Sequence, residues 1–228
     1  TIEQARSTGV TGFVAQAAVG ALAMGAAMAL AGAAITAAVV RRDPPARDDA
    51  LDRAIDRTLL RYLGAPRGDR IYLTAKLHSD PVVQQLARLE PPLGEVLDVA
   101  CGRGQLSILL VELGLATRFT GLDWDRRKVE VCQVAAGEDG RAIVADATRA
   151  ELAPVDTVLI IDALHYLARE ERRALLERAA AALRPGGRLV IRELDPKRGL
   201  RSRIAQWAER VGSRVGMNRG AVCEWVDP

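Results

Sequence analysis

Hydrophobic residues in the second half of the chain follow two alternating periodicities. Short apolar runs rich in Val, Ile and Leu predict five β-strands, at 95–100, 118–123, 141–145, 155–161 and 187–193. Between these runs, apolar positions recur at helical spacing and predict three helices, at 105–113, 126–136 and 170–183. Strands that alternate with helices are typical of a parallel sheet covered on both faces. The pattern therefore predicts a doubly wound α/β core over residues 91–195.

A long uncharged stretch lies near the start of the sequence. No Asp, Glu, Lys or Arg occurs between Arg6 and Arg41, and residues 12–40 would form a helix about 43 Å long. Such a helix can cross a bilayer, so we predict a transmembrane helix within residues 1–42, with an Ala-rich soluble helix as the alternative. Its small residues recur four positions apart, which suits packing against neighbouring membrane helices. Arg41 and Arg42 favour a membrane-anchored protein whose following domain is cytoplasmic.

Two further segments flank the predicted core. Residues 43–90 predict a linker and short cap helices, because apolar residues recur four apart from Leu51 to Leu63. Helices in this position can cover a ligand pocket, and the polar residues available to line it are Tyr72, Lys76 and His78. Ordinary surface and packing roles are the alternative for these three. Residues 196–228 predict an amphipathic, arginine-rich helix that lies either on an anionic membrane surface or over the pocket of the domain.

Composition narrows the function classes only slightly. The net charge of +3 is too weakly basic to indicate nucleic-acid binding by itself. The three cysteines are far apart in sequence and have no metal-ligand spacing, so neither a metal site nor a disulfide framework is predicted. The first residue is Thr and not Met, and we expect the sequence to be part of a longer polypeptide.

Candidate chemistry is concentrated where the first two predicted strands end. The first strand ends in Asp98-Val99-Ala100 and is followed by Cys101-Gly102-Arg103-Gly104. Such a turn of small residues lets a ligand approach the backbone and the N-terminus of the next helix. The second strand ends in Asp123, whose carboxylate can accept two hydrogen bonds from a ribose diol. Trp124 follows it, and either packs on an adenine face or belongs to the core.

The third and fourth predicted strands deliver further polar residues to the same edge of the sheet. Asp146 and Ala147 follow the third strand. Asp146 either accepts a hydrogen bond from the exocyclic amine of a base or forms a turn with Thr148. The fourth strand is almost wholly apolar, which is typical of a central strand, and it ends in Asp162, shortly before His165 and Tyr166.

These motifs together resemble the class I S-adenosylmethionine-dependent methyltransferases. The resemblance covers the glycine turn, the acids Asp123 and Asp146, the segment 155–166, and Leu-Arg-Pro-Gly-Gly-Arg-Leu-Val-Ile at 183–191. Ala100 stands where many members have Gly. The resemblance implies S-adenosylmethionine as the cofactor, held by Asp98, Ala100, Cys101, Gly102, Gly104, Asp123, Trp124, Asp146, Ala147 and Asp162. It also implies an α/β fold that usually ends in two more strands, and we expect the sequence to stop before that hairpin is complete.

The resemblance implies methyl transfer, in which the protein mainly holds nucleophile, methyl carbon and leaving sulfur in one line. His165 is the first candidate for a general base, because histidine titrates near neutral pH and this one follows the fourth strand. Tyr166 and Glu193 are further candidates. We expect a small-molecule or lipid-like acceptor, since an anchored enzyme benefits from an acceptor that partitions into the membrane.

Three other functions stay open at this point. An NAD-linked dehydrogenase requires a third glycine where this chain has Ser107. A methyltransferase-like module without catalysis, attached to a membrane protein, is the second alternative. An RNA or protein methyltransferase is the third, although no strip of basic and aromatic residues indicates a nucleic-acid partner.

Overall fold

The computed structural model describes residues 49–193, where three helices precede the sheet. They are α1 (Asp49–Leu60), α2 (Arg67–Ser79) and α3 (Pro81–Ala87). Among these described residues, no helix is both long enough and apolar enough to cross a membrane. The predicted transmembrane helix at 12–40 and the predicted amphipathic helix at 196–228 both lie outside the described residues, so both stay predictions.

The core contains every strand and helix that the sequence pattern predicts within 91–193. The strands are β1 (Gly94–Val99), β2 (Ala116–Asp123), β3 (Gly140–Val144), β4 (Val155–Ile161) and β5 (Leu183–Arg192). The helices are α4 (Gln105–Glu112), α5 (Arg126–Ala136) and α6 (Arg169–Ala181), with a 3₁₀ turn at Leu164–Tyr166. All strand boundaries lie within two residues of the prediction except the start of β5.

The five strands form one sheet in the order β3-β2-β1-β4-β5, and all neighbouring pairs are parallel. This confirms the predicted parallel α/β sheet. The chain runs outward from β1 to β3 and then returns to the other side of β1 to form β4. The connections after β1 and β4 therefore lead away from each other, and the crevice between them is where parallel α/β sheets bind ligands.

Side chains of the central strands alternate between two hydrophobic cores. Val96 and Leu159 belong to the core that contains residues of α1 to α5. Leu97 and Val158 belong to the other core, which includes Leu175 of α6. A parallel strand is buried on both faces, which explains why residues 158–161 of β4 are a continuous apolar run.

The segment 184–187 differs from the prediction, which has a helix that ends at Leu183 and a strand that begins at Gly187. The helix α6 already ends at Ala181, and residues 184–187 form an irregular start of β5, because Val155 pairs with Leu183 whereas Thr157 pairs with Arg188. Gly186 has a φ of +81°, and a Cβ on Gly187 would lie 2.8 Å from the carbonyl oxygen of Asp156. The two glycines are therefore required by this bulge and not by the end of the helix.

Candidate functional site

The turn after β1 has the left-handed backbone that its small residues predict. The φ angles of Ala100, Gly102 and Gly104 are +61°, +58° and +75°. A Cβ on Gly104 would lie 2.2 Å from Sγ of Cys132 on α5, so packing excludes any side chain there. A Cβ on Gly102 would meet nothing within 4 Å. The backbone at Gly102 is therefore open to the close approach of a ligand, which is the property expected of such a turn.

Ala100 is the non-glycine residue of this turn that carries the strain. Replacing it with glycine is expected to stabilise the domain by about 0.5–1 kcal/mol. A left-handed L-residue costs roughly 1–2 kcal/mol, and the extra freedom of glycine in the unfolded chain offsets about 0.4–1 kcal/mol of the gain. Chemical denaturation measures the change. The matched control is Ala174→Gly at an exposed helical position of α6, which should destabilise by about 0.5–1 kcal/mol. Equal losses from both substitutions would contradict the argument.

Asp123 holds the glycine turn as well as ending β2. Its Oδ2 accepts a hydrogen bond from the backbone N–H of Gly102 at 2.8 Å, and its Oδ1 accepts one from the N–H of Asp125 at 2.8 Å. The side chain is buried. Because two carboxylate oxygens offer about four lone-pair sites, the two backbone bonds leave capacity for two ligand hydroxyls. The structure thus places the predicted ribose acid against the predicted turn.

Asp98 is a buried carboxyl beside the same turn. Its Oδ2 accepts a hydrogen bond from Oγ of Ser107 at 2.6 Å. Burial raises the pKa of Asp98 to about 7; the nearby charge of Asp123 contributes to the rise, and the Ser107 bond opposes it. A cationic ligand group beside Asp98 would compensate the ionised carboxylate. Ser107 stands where a dinucleotide fingerprint requires glycine. Its side chain is buried, and its hydroxyl donates a hydrogen bond to Asp98.

Asp98→Asn is expected to stabilise the ligand-free protein increasingly as the pH rises. The folded-state pKa of about 7 lies above the ordinary value of 3.8. The stability contributed by the protonated carboxyl is therefore complete below about pH 4 and is lost as the pH rises through about 7. Asparagine is neutral throughout and keeps an oxygen for Ser107. Thermal unfolding from pH 5 to 8.5 should show a difference between variant and wild type that widens up to about pH 7 and then levels off. A difference that is constant with pH would contradict the assignment.

The residues predicted for an adenine ring lie after β2 and β3. Trp124 is half-buried and belongs to neither hydrophobic core, and Nζ of Lys128 lies 6.0 Å from its ring centroid. Oδ1 of Asp146 accepts hydrogen bonds from the N–H and the hydroxyl of Thr148, at 2.9 and 2.7 Å. The hydroxyl bond is the main reason that the pKa of Asp146 is lowered. The turn that the sequence analysis gave as the alternative for Asp146 is thus present, and its role toward a base stays a prediction.

Asp162 occupies a strained position at the end of β4. Its φ is +52°, which is uncommon for a residue other than glycine and is often found at functional sites. Its Oδ2 accepts a hydrogen bond from Arg192 and lies 3.9 Å from Nζ of Lys76. Its Oδ1 is buried, and among residues 49–193 it has no hydrogen-bond donor. The buried carboxylate oxygen at the end of β4 can therefore accept a hydrogen bond from a ligand.

The cap helices contribute to this charged cluster through Lys76, which the sequence analysis named, and Asp80, which it missed. Nζ of Lys76 lies 2.7 Å from Oδ2 of Asp80, and Nη2 of Arg192 lies 3.3 Å from Oδ1 of Asp80. Of the other two predicted lining residues, Tyr72 lies under the side chain of Arg103, with the guanidinium 4.6 Å from the ring centroid. His78 is exposed on α2.

His165 lies inside the domain in this conformation. Its side chain is 1% exposed, and its Nδ1 lies 2.7 Å from Oε2 of Glu193. Oε1 of Glu193 accepts hydrogen bonds from the backbone N–H groups of Ala163 and Leu164, at 2.9 and 2.6 Å. The ring of Tyr166 lies 4.1 Å from that of His165. Glu193 therefore holds the loop after β4 and contacts His165, and the roles of His165, Tyr166 and Glu193 as bases stay predictions.

The fold brings most of the predicted site residues to one edge of the sheet. Asp98, the glycine turn, Asp123 and Asp162 all lie at the carboxyl ends of β1, β2 and β4. Two residues that sequence reasoning missed, Tyr62 and Asp69, contact the turn, and both contacts are made to Arg103. Arg103 stands inside the recognised motif, but its two partners lie 34 and 41 residues away along the chain, so no local pattern indicates them.

Residues 96–187 match the family model described as a methyltransferase domain. Among curated proteins, the ubiquinone biosynthesis O-methyltransferase of Xanthomonas axonopodis pv. citri (strain 306) is 30% identical over 115 residues, which are 48% of this chain and 46% of that protein. The phthiotriol/phenolphthiotriol dimycocerosates methyltransferase 1 of Mycobacterium ulcerans (strain Agy99) is 32% identical over 122 residues, 52% of this chain and 43% of that protein. A solved structure described as a DhpI–SAM–HEP complex is 20% identical, covers 71% of this chain and 73% of its own, and has a TM-score of 0.48.

The matched segment contains most of β1, the strands β2, β3 and β4, and the start of β5, together with the glycine turn and the acids that follow the strands. The match confirms the prediction of a class I methyltransferase fold and supports S-adenosylmethionine as the cofactor of this domain. The chain spans less than half of the length of either curated relative. The helices α1 to α3 lie before the matched segment.

Proposed function

We propose that this chain is an S-adenosylmethionine-dependent methyltransferase. The observation that carries the proposal is the pair of buried carboxyls, Asp98 and Asp123, on either side of a glycine turn whose backbone is open at Gly102. S-adenosylmethionine has a ribose diol, a positively charged amino group and a sulfonium. A diol matches the lone pairs of Asp123, and positive charge compensates a carboxyl that burial has made costly to ionise.

The residues of this chain would hold the cofactor in distinct ways. Asp123 accepts from the ribose hydroxyls, Gly102 lets the backbone approach, and Asp98 compensates the positive charge of the amino-acid end. Trp124 and Asp146 lie on the side where the sequence motifs place the adenine. The cofactor supplies an electrophilic methyl group, and the protein supplies alignment of the nucleophile with it.

The loop after β4 is proposed to position the acceptor. Asp162, which the sequence motifs predict as a cofactor contact, lies at the switch point beside the glycine turn. The free capacity of its buried Oδ1 also suits a hydroxyl or amine N–H of a nucleophile, while His165 and Tyr166 stay the predicted candidates for a general base. The Glu193–His165 pair holds this loop in place. The proton of an oxygen or nitrogen nucleophile therefore has a carboxylate within the same loop to accept it.

We further propose a small-molecule or lipid-like acceptor. One curated relative is named for ubiquinone biosynthesis and the other for phthiotriol dimycocerosates, which supports this class of acceptor. Anchoring at the cytoplasmic face of a membrane through residues 12–40 belongs to the same proposal, and its support is the uncharged run in the sequence. Unchanged activity on the acceptor after removal of residues 1–45 would count against a role for that anchor.

Calorimetric titration of the full chain with S-adenosylmethionine tests the cofactor assignment, with NAD as the comparison ligand. We expect micromolar binding of S-adenosylmethionine and none of NAD, because Ser107 fills the place of the third fingerprint glycine. Transfer of a radiolabelled methyl group to a panel of lipid extracts and small phenols then tests catalysis. Folded protein that binds neither ligand would remove the support for the proposed enzyme.

A further inference from the structure

The glycine turn is held from outside by α2, a helix that lies before the matched methyltransferase segment. Nε and Nη2 of Arg103 lie 2.6 and 2.5 Å from Oδ1 of Asp69, in the first turn of α2. The guanidinium of Arg103 also stacks over the ring of Tyr72, 4.6 Å from its centroid. Arg103 stands between Gly102 and Gly104, so a constraint on its side chain is a constraint on the turn itself.

The backbone of the turn has a second external contact. The hydroxyl of Tyr62, in the segment after α1, donates a hydrogen bond to the carbonyl oxygen of Arg103 at 2.7 Å. The Tyr62 ring is buried in the core below, and burial raises the pKa of its phenol, which keeps the hydroxyl protonated as a donor. Arg103 is thus held at both its side chain and its carbonyl by residues outside the matched domain.

The opposite end of α2 forms ion pairs with residues at the ends of β4 and β5, on the other side of the crevice. Lys76 and Asp80 contact Asp162 and Arg192 at the carboxyl ends of β4 and β5. A helix of 13 residues is about 20 Å long, while neighbouring strands lie about 4.8 Å apart. The helix α2 therefore reaches from the turn after β1 to the ends of β4 and β5, along the edge where the ligand is proposed to bind.

We propose that Asp69 and Tyr62 are positioning residues for the cofactor, which act through Arg103 to hold the glycine turn in its binding conformation. This inference rests on the proposed function. Ala100 is strained at a positive φ, and the two glycines of the turn lose more backbone freedom than other residues when they are held in one conformation, so the turn needs surrounding contacts to fix it. The Asp69 and Arg103 side chains are only 16% and 21% exposed, so their ion pair is less screened than a surface pair. The cap helices are then part of the cofactor site as well as its cover.

Titration of the full chain with S-adenosylmethionine distinguishes a positioning role from a structural one. We expect Asp69→Asn and Arg103→Gln each to raise the Kd about ten-fold, and the double variant to raise it no further, because both remove one interaction. The matched control is Glu112→Gln, which removes ion pairs to Arg57 and Arg61 that join α1 to α4 without contacting the turn. This control is expected to lower the melting temperature and to leave the Kd within two-fold.

A second variant tests the hydrogen bond from Tyr62 to the backbone of Arg103. Tyr62→Phe keeps the buried ring and removes the donor to Arg103, so we expect a rise in Kd of about three- to ten-fold. Amide hydrogen exchange should also become faster in the peptide that contains Gly102 and Gly104 in Asp69→Asn, but not in Glu112→Gln.

The outcomes separate this inference from the proposed function. Binding by the wild type together with an unchanged Kd in folded Asp69→Asn and Tyr62→Phe would overturn the inference alone. A parallel rise in Kd in Glu112→Gln would also overturn it, because the effect would then reflect stability and not the turn. Absence of binding by the folded wild-type protein would overturn both.

Discussion

Gly104→Ala is expected to destabilise the domain by roughly 2–5 kcal/mol, a large fraction of the roughly 5–15 kcal/mol that stabilises an ordinary domain. The added methyl would sit 2.2 Å from Sγ of Cys132, and the position has a φ of +75°. Left-handed strain accounts for about 1–2 kcal/mol, and overpacking against α5 for about 1–3 kcal/mol. Chemical denaturation of both proteins measures the difference. A loss below about 1 kcal/mol would show that α5 moves away from the turn at little cost.

Gly102→Ala is the matched comparison, because it lies two residues away in the same turn at a similar φ of +58°. Its added methyl meets no protein atom within 4 Å, so we expect only the left-handed strain of about 1–2 kcal/mol. The methyl would instead occupy the space proposed for the cofactor and raise the Kd for S-adenosylmethionine at least ten-fold. A folded Gly102→Ala protein with unchanged binding would place the cofactor elsewhere.

Asp123→Ala is expected to abolish measurable cofactor binding and to lower stability by about 2–4 kcal/mol. The substitution removes the acceptor of two backbone N–H groups, those of Gly102 and Asp125. Both donors are partly buried, and a donor left without a partner costs about 1–3 kcal/mol when it is buried. It also removes the carboxylate proposed for the ribose hydroxyls, so we expect the Kd to rise at least 100-fold. Calorimetric titration and thermal unfolding of the same sample measure the two effects.

Two variants separate the ligand contact from the support of the turn. Asp123→Asn keeps one oxygen for one backbone N–H and should lose less stability than alanine while still weakening binding. Asp125→Ala removes the N-cap of α5, where Oδ1 accepts from the N–H groups of Arg127 and Lys128. It should cost about 1 kcal/mol of stability and leave the Kd within three-fold. Equal effects on binding from Asp123→Ala and Asp125→Ala would argue against a ribose contact by Asp123.

The glycine turn shows how far sequence reasoning reaches into this site. The pattern predicts the turn and the acid after β2, because alternation, helical spacing and glycine requirements are properties of neighbouring residues. It also marks Ala100 as a departure from the family. The structure shows why this departure is costly, because Ala100 has a φ of +61°. The second function of Asp123, as an acceptor for the turn, requires Gly102, which lies 21 residues away along the chain.

The end of β4 shows where sequence reasoning stops. His165 follows β4 as predicted, but its burial and its pairing with Glu193 depend on how β5 lies beside β4. The start of β5 was predicted too late, because the Arg-Pro-Gly-Gly sequence is typical of a helix end and its bulge appears only when it pairs with β4. In both cases the role of the segment depends on a neighbouring strand and not on a local signal.

The sequence by itself determined the order of strands and helices, the parallel sheet and the positions of the chemical groups at its carboxyl edge. These properties follow from hydrophobic periodicity and backbone preference, which act over a few residues. The tertiary structure alone decided which distant side chains hold those groups. Asp69 and Tyr62 fix Arg103, and Asp80 meets Arg192 across 112 residues of sequence. Such contacts depend on the packing of whole elements, and a single sequence carries no local pattern that records them.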